Sequence, residues 1–122
     1  MKNFLKILLI VFTFSLTACQ EEKAVHPLQE ISGNEVYFFY QKTCPHCHHA
    51  AQYINTKYPG LKMINLDVQN RNNYNLFLKC VEKFKIDQST LGTPLICMGN
   101  HYIMGWSEAD SKRFDAYVQR FK

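Results

Sequence analysis

What this chain has little of narrows its reading first. No apolar run is long enough to span a membrane: the candidate at the N-terminus, Ile7 to Leu16, is too short and is broken by Thr13 and Ser15. Charge of one sign is also scarce. Lys and Arg number 14 against 10 Asp and Glu, and without Lys2 and Lys6 in the leading segment the balance is 12 against 10. A surplus that small points neither to nucleic acid nor to an acidic partner. No second C-x-x-C and no H-x₃₋₅-H pair is present to complete a structural metal site. Internal repeats and low-complexity tracts are absent, which excludes a solenoid or array.

What is present begins with a leader. Lys2 and Lys6, the apolar stretch and the small residues Thr17 and Ala18 have the layout of a secretory signal. The junction "LTAC", Leu16 to Cys19, resembles the lipobox of bacterial lipoproteins. That resemblance implies a signal peptide over 1–18 and lipidation of Cys19, the first residue of the mature chain. Gln20 in the next position implies the outer rather than the inner membrane. The stretch that follows is polar, with Pro27 and Gly33, so 19–34 reads as a lipidated cysteine and flexible tether. A single compact domain is expected over 35–122, small enough for its core to be marginal unless well packed or cross-linked. Export places that domain on the periplasmic face of a bacterial membrane, where cysteines meet an oxidising environment.

Within the domain, "EVYFFY" (Glu35 to Tyr40) lacks polar alternation and predicts a central strand buried on both faces. Pro45 suits the first turn of a helix whose inner positions are Cys47, Ala50 or Ala51, and Ile54, stopping at Pro59-Gly60. "LKMINLDV" predicts a second strand with Leu61, Met63, Ile64 and Leu66 as its apolar positions. Asn70 is placed to cap a helix from Arg71 to about Lys85, with Tyr74, Phe77, Cys80 or Val81, and Phe84 facing inward. "TPLICM" (Thr93 to Met98), a turn at Gly99-Asn100 and "HYIM" predict a hairpin. Ser107 with Asp110 resembles a capping box, opening a last helix that buries Phe114, Tyr117, Val118 and Phe121. The predicted order is β-α-β-α-β-β-α.

The chemistry concentrates in "YQKTCPHCHH" (Tyr40 to His49). Thiols and imidazoles at that density suit disulfide exchange, covalent haem attachment through C-x-x-C-H, or capture of zinc or copper. Met63, Met98 and Met104 are candidate axial ligands for a haem, but small c-type cytochromes are mostly helical and this domain is strand-rich. Context favours exchange. A C-x-x-C opening a helix after a buried strand meets the unpaired N–H groups and positive dipole end of the first turn. Both favour a thiolate on Cys44 and lower its pKa. Cys47, one turn inward, is close enough to resolve a mixed disulfide formed on Cys44. His48 and His49 also read as solvated helix positions, and Lys42 as an exposed solubility residue or a further cation near the thiolate.

"VYFFYQKTCPHCHHAAQYI" together with "GTPLICMGNHYIMGW" resembles the thioredoxin superfamily, in particular its small glutaredoxin-like members, over residues 35–122. The resemblance implies an α/β thioredoxin-like, three-layer fold around a central four-stranded mixed sheet. Cys44-Pro45-His46-Cys47 matches the motif of the DsbA-type periplasmic oxidants. It implies Cys44, Cys47, His46 and Pro45 as catalytic residues, with His46 stabilising the Cys44 thiolate and so the oxidising power of the pair. Thr93-Pro94 sits where the family has its cis-proline, which with Trp106 implies the substrate-binding surface. The implied partners are cysteine-containing exported proteins and an unidentified redox partner, with no cofactor, no nucleic acid and a monomeric chain; the alternatives are a reductase serving a dedicated partner and a metal-binding module such as a copper carrier. Two features depart from the pattern. Phe38 stands where thioredoxins and DsbA-type proteins carry a buried acid, leaving the proton acceptor for Cys47 to water or His48. Of the glutathione pocket of glutaredoxins only part survives, at Met104-Gly105, Glu108 and His46.

Cys80 and Cys97 fall on the helix and strand that this fold packs together. Three readings stay open for them: a structural disulfide, a second redox pair, or two buried thiols packed as small hydrophobes.

Overall fold

The computed structural model describes residues 30–122; the expected signal peptide, Cys19 and most of the tether lie outside the described residues. Four strands form one sheet: β1 (Val36–Tyr40), β2 (Met63–Asp67), β3 (Leu95–Met98) and β4 (His101–Met104), in the order β2-β1-β3-β4. β1 pairs parallel with β2 and antiparallel with β3, and β3 pairs antiparallel with β4. The parallel pair needs a crossover, supplied by helix α1 (Pro45–Lys57). Helices α2 (Arg71–Lys83) and α3 (Glu108–Tyr117) complete the domain, with short 3₁₀ turns at Gln88–Thr90 and Val118–Phe121. This is the β-α-β-α-β-β-α order and the four-stranded mixed sheet expected from the sequence.

β1 sits between two partners and is apolar on both faces, so it supports two cores at once. Tyr37 and Phe39 point toward α2, with Leu76, Phe77, Cys80 and Val81 of that helix and Leu95 and Cys97 of β3. Val36 and Phe38 point the other way, toward Ala50 and Ile54 of α1 and Phe114 of α3. Period-two alternation along β3 assigns Cys97 to the first core and Ile96 and Met98 to the second. The result is three layers, with α1 and α3 on one face of the sheet and α2 on the other.

Local signals set the ends of each element. The Asn70 side chain accepts from the Asn73 N–H at 3.1 Å, and the Ser107 hydroxyl accepts from the Asp110 N–H at 3.2 Å. Lys85, with φ of 53°, leaves the helical region and ends the second helix two residues beyond Lys83. Gly99, at φ of 60°, makes the turn between β3 and β4.

Some side chains differ from expectation. Tyr74 is 43 % exposed and Leu76 is buried in its stead. The inward stripe of α2 runs through Leu76 and Cys80 and through Phe77 and Val81, so Tyr74 lies at the rim, stacked on Phe77 at 5.7 Å between ring centroids. In β2 only Leu66 is fully buried, because an edge strand has one sheet neighbour and leaves Met63 and Ile64 half-covered. Tyr117 and Phe121 are likewise half-buried, at the margin of the core held by Phe114 and Val118.

Candidate active site around Cys44 and Cys47

Cys44 is the N-cap of α1, in extended backbone with φ of −94° and ψ of 110°, and Pro45 follows in the first turn. A cap is the residue whose side chain meets the unpaired N–H groups of the first turn. Here that side chain is a sulfur: Cys44 Sγ accepts from the Cys47 N–H at 3.1 Å. Cys44 and Cys47 are joined as a disulfide with their Cα atoms 5.2 Å apart, inside the usual range for such bonds. The two sulfurs are unequally placed. Cys44 is partly exposed, while Cys47 points into the domain and is 3 % exposed. A thiolate arriving from solvent would therefore meet Cys44 first, and Cys47 is the shielded sulfur of the pair.

The segment before β3 closes over this pair. The Thr93–Pro94 peptide is cis, and Cys44 Sγ lies 3.5 Å from the Thr93 carbonyl oxygen. Pro94 is buried, and its carbonyl accepts from the Gly105 N–H at 2.8 Å, which ties the start of β3 to the end of β4. Trp106, next in the chain, is half-buried and packs at 5.6 Å from Tyr53 and 6.2 Å from Phe114. It forms the edge of the core with one side still open.

The structure does not join His46 to Cys44. His46 is exposed, and its ring contact is an edge approach to His49 at 6.4 Å. His48 instead holds the preceding loop: its Nε2 lies 2.8 Å from the Lys42 carbonyl. A carbonyl only accepts, so Nε2 carries the hydrogen and Nδ1 is left as the basic nitrogen of the neutral ring. Beside this loop an open cavity of about 320 Å³ reaches Cys47, lined by Phe38, Tyr40, Cys47, His48 and Ala51 with Asn65 of β2 at its rim. Among the described residues, no group of three or more His, Cys, Asp or Glu side chains is arranged to hold a metal ion.

Cys80 and Cys97 form a second disulfide, with Cα atoms 6.6 Å apart and side chains 0 % and 1 % exposed. It links α2 to β3 within the core that faces away from α1. The sheet thus separates it from Cys44–Cys47, and the fold does not bring the two pairs together.

One cluster carries no signal in the sequence. The Asp115 carboxylate accepts from Tyr53 at 2.7 Å, from Tyr58 at 2.6 Å and from the Lys57 ammonium at 2.8 Å, tying the C-terminal end of α1 to α3. Burial pushes the Asp115 pKa up, but the three donors outweigh it and the net direction is downward. Burial, then the bond to Asp115, pushes the Tyr58 hydroxyl up to about 12. The same bond raises Lys57. Tyr53 and Asp115 lie 62 positions apart, so no local pattern reveals the group.

No family model matches the chain, and no curated protein matches it. Two solved structures are similar in chain path. A glutaredoxin from Archaeoglobus fulgidus is 18 % identical with a TM-score of 0.49, over 66 % of this chain and 84 % of that one. A buckwheat glutaredoxin, solved in complex with glutathione, is 15 % identical with a TM-score of 0.49, over 72 % of this chain and 76 % of that one.

Proposed function

We propose that the protein is a thiol–disulfide oxidoreductase whose reactive pair is Cys44–Cys47, working as an oxidant of exported, cysteine-containing proteins. The observation that carries the reading is the asymmetry of the pair at the start of α1: Cys44 half-exposed and capping the helix with its sulfur, Cys47 buried one turn inward. A client thiolate attacks Cys44 Sγ, the Cys44–Cys47 bond breaks, and Cys47 leaves with the electron pair. A second client thiolate then attacks the mixed disulfide, so the client is oxidised and Cys44 departs as a thiolate. The Cys47 N–H and the dipole of α1 stabilise that thiolate, which makes Cys44 a good leaving group and the pair oxidising.

Thr93 and Pro94 border the half-exposed sulfur and are the proposed docking edge for the client, with Trp106 as an apolar neighbour. Pro45 pre-sets the first turn of α1. His46, on the exposed first turn of α1, is the proposed tuning residue of the pair by its place beside Cys44 rather than by a hydrogen bond. The leader and the Leu16–Cys19 junction support a lipid anchor on Cys19 and a periplasmic, outer-membrane site of action. A separate redox partner must re-oxidise the pair after each turnover.

The test is the reduction potential of Cys44–Cys47, measured against redox buffers in the Cys19→Ala chain with Cys80–Cys97 left closed. A value near about −120 mV marks an oxidant, and one near about −270 mV marks a reductase fed by a partner. Absence of any reversible two-electron couple would overturn the oxidoreductase reading.

A further inference from the structure

Thiol exchange at this pair has a requirement that the site around Cys44 does not meet. Cys47 must lose a proton to attack and gain one after it leaves, yet it is 3 % exposed and no carboxylate lines the space beside it. Phe38 of β1, which lines the same space, is an apolar side chain. What does reach Cys47 is the open cavity on the β2 side of the disulfide, opposite the Thr93–Pro94 edge where a client docks. Its rim includes Asn65 of β2, and one imidazole, His48, lines it together with Cys47.

Resting on the thiol-exchange reading above, we propose that His48 is the proton carrier for Cys47, acting through water in this cavity. One nitrogen of the His48 ring is already committed. Its Nε2–H is engaged by the Lys42 carbonyl at 2.8 Å, so the free basic nitrogen is Nδ1. Imidazole is also the side chain suited to taking and returning a proton near neutrality. The other titratable side chains lining the cavity are Tyr40 of β1 and Lys42 of the loop. On α1 itself His46 and His49 pair with each other.

The step balances within the chain and its client. In closure, the Cys47 thiol gives its proton to His48, and the thiolate attacks Cys44 Sγ of the mixed disulfide. The Cys44–Cys47 bond forms as the Cys44–client bond breaks, and the client sulfur leaves with the electron pair to be protonated by solvent. In opening, Cys47 leaves as a thiolate and takes the proton back from the imidazolium.

The Cys19→Ala chain, reduced at Cys44–Cys47 alone, is mixed with dithiobis-nitrobenzoate. One coloured thiolate is released when Cys44 attacks and a second when Cys47 closes. In His48→Gln the first phase is expected to keep its rate, while the second slows about tenfold at pH 7, the change in thiolate fraction that one unit of thiol pKa produces. The inflection between about pH 5 and 8 in the second phase should vanish with the imidazole, and added free imidazole should restore part of the rate in His48→Ala. A second phase with the parent's rate and pH profile would overturn the proposal, as would equal slowing of both phases. A parent chain that releases only one coloured thiolate would instead defeat the exchange reading itself.

Discussion

Replacing Cys80 and Cys97 together by alanine should cost the domain much of its stability while leaving the reactive pair's chemistry unchanged. The two cysteines lie 17 positions apart and close a loop that runs along α2 and back into β3. For a loop of that length the loss of denatured-chain entropy corresponds to about 3 kcal/mol. Domains of this size hold only about 5–15 kcal/mol in total, so the bridge is a large share of the margin. At roughly 4–8 °C per kcal/mol for a small domain, the melting temperature should fall by about 12–24 °C. Both side chains are fully buried, so the two missing sulfurs also leave unfilled volume and push the loss toward the upper figure. The assay is thermal unfolding by circular dichroism of the double variant beside its parent, with the reduction potential of Cys44–Cys47 measured in both. A fall below about 5 °C would refute the entropic reasoning, since it is under half of the smallest value expected. A change in potential above about 30 mV, equivalent to about 1.4 kcal/mol, would refute the separation of the two pairs by the sheet.

Other consequences are as direct. Cys47→Ser should accumulate a mixed disulfide on Cys44 that mass spectrometry detects, whereas Cys44→Ser should form none, because Cys47 is 3 % exposed. Phe114→Ala, at the centre of the core between α1, α3 and the sheet, should destabilise by about 3–5 kcal/mol in denaturant titration. Asp115 has a folded pKa below its ordinary 3.8, so its contribution is complete above that value and is lost as pH falls through the folded one. Asp115→Asn should therefore lower stability at pH 7 and flatten the acid limb of the stability profile below about pH 4. Tyr58 works in the opposite sense: its raised value means that stability is held below pH 10.0 and lost as pH climbs toward about 12, which a Tyr58→Phe chain should not show.

The order of elements was legible because each carries its own local code. The unbroken apolar run of β1 and the caps at Asn70 and Ser107 are read within a few residues of chain. The cysteine pair was equally visible, since its spacing and its place at a helix start are local facts. Tyr74 was misplaced because helical spacing defines a stripe but not its width: Tyr74 and Leu76 both border it, and only packing against the sheet decides between them. A hydrogen bond from His46 to Cys44 is not formed, because residues two apart at a helix start do not face each other. Asp115 was invisible for a different reason. Its three partners sit at the C-terminal end of another helix, Tyr58 just past its last residue, and a carboxylate on α3 looks like any solvated acid until the two helices are docked.

That docking has a consequence for how partners tell the protein's two redox states apart. α1 is moored at its far end by Tyr53, Lys57 and Tyr58 to Asp115, and along its middle by Ala50 and Ile54, which are 0 % and 1 % exposed. Opening or closing the Cys44–Cys47 bond is therefore expected to leave the helix in place, with the adjustment confined to its first turn. The surface offered to a visiting chain has the same outline before and after exchange. Discrimination between the spent and the charged protein must then come from the sulfur atoms themselves, through whether a thiolate or a disulfide stands at the contact. Under the proposed function, a partner that restores the pair would meet the same face as a client, and the two would compete for it.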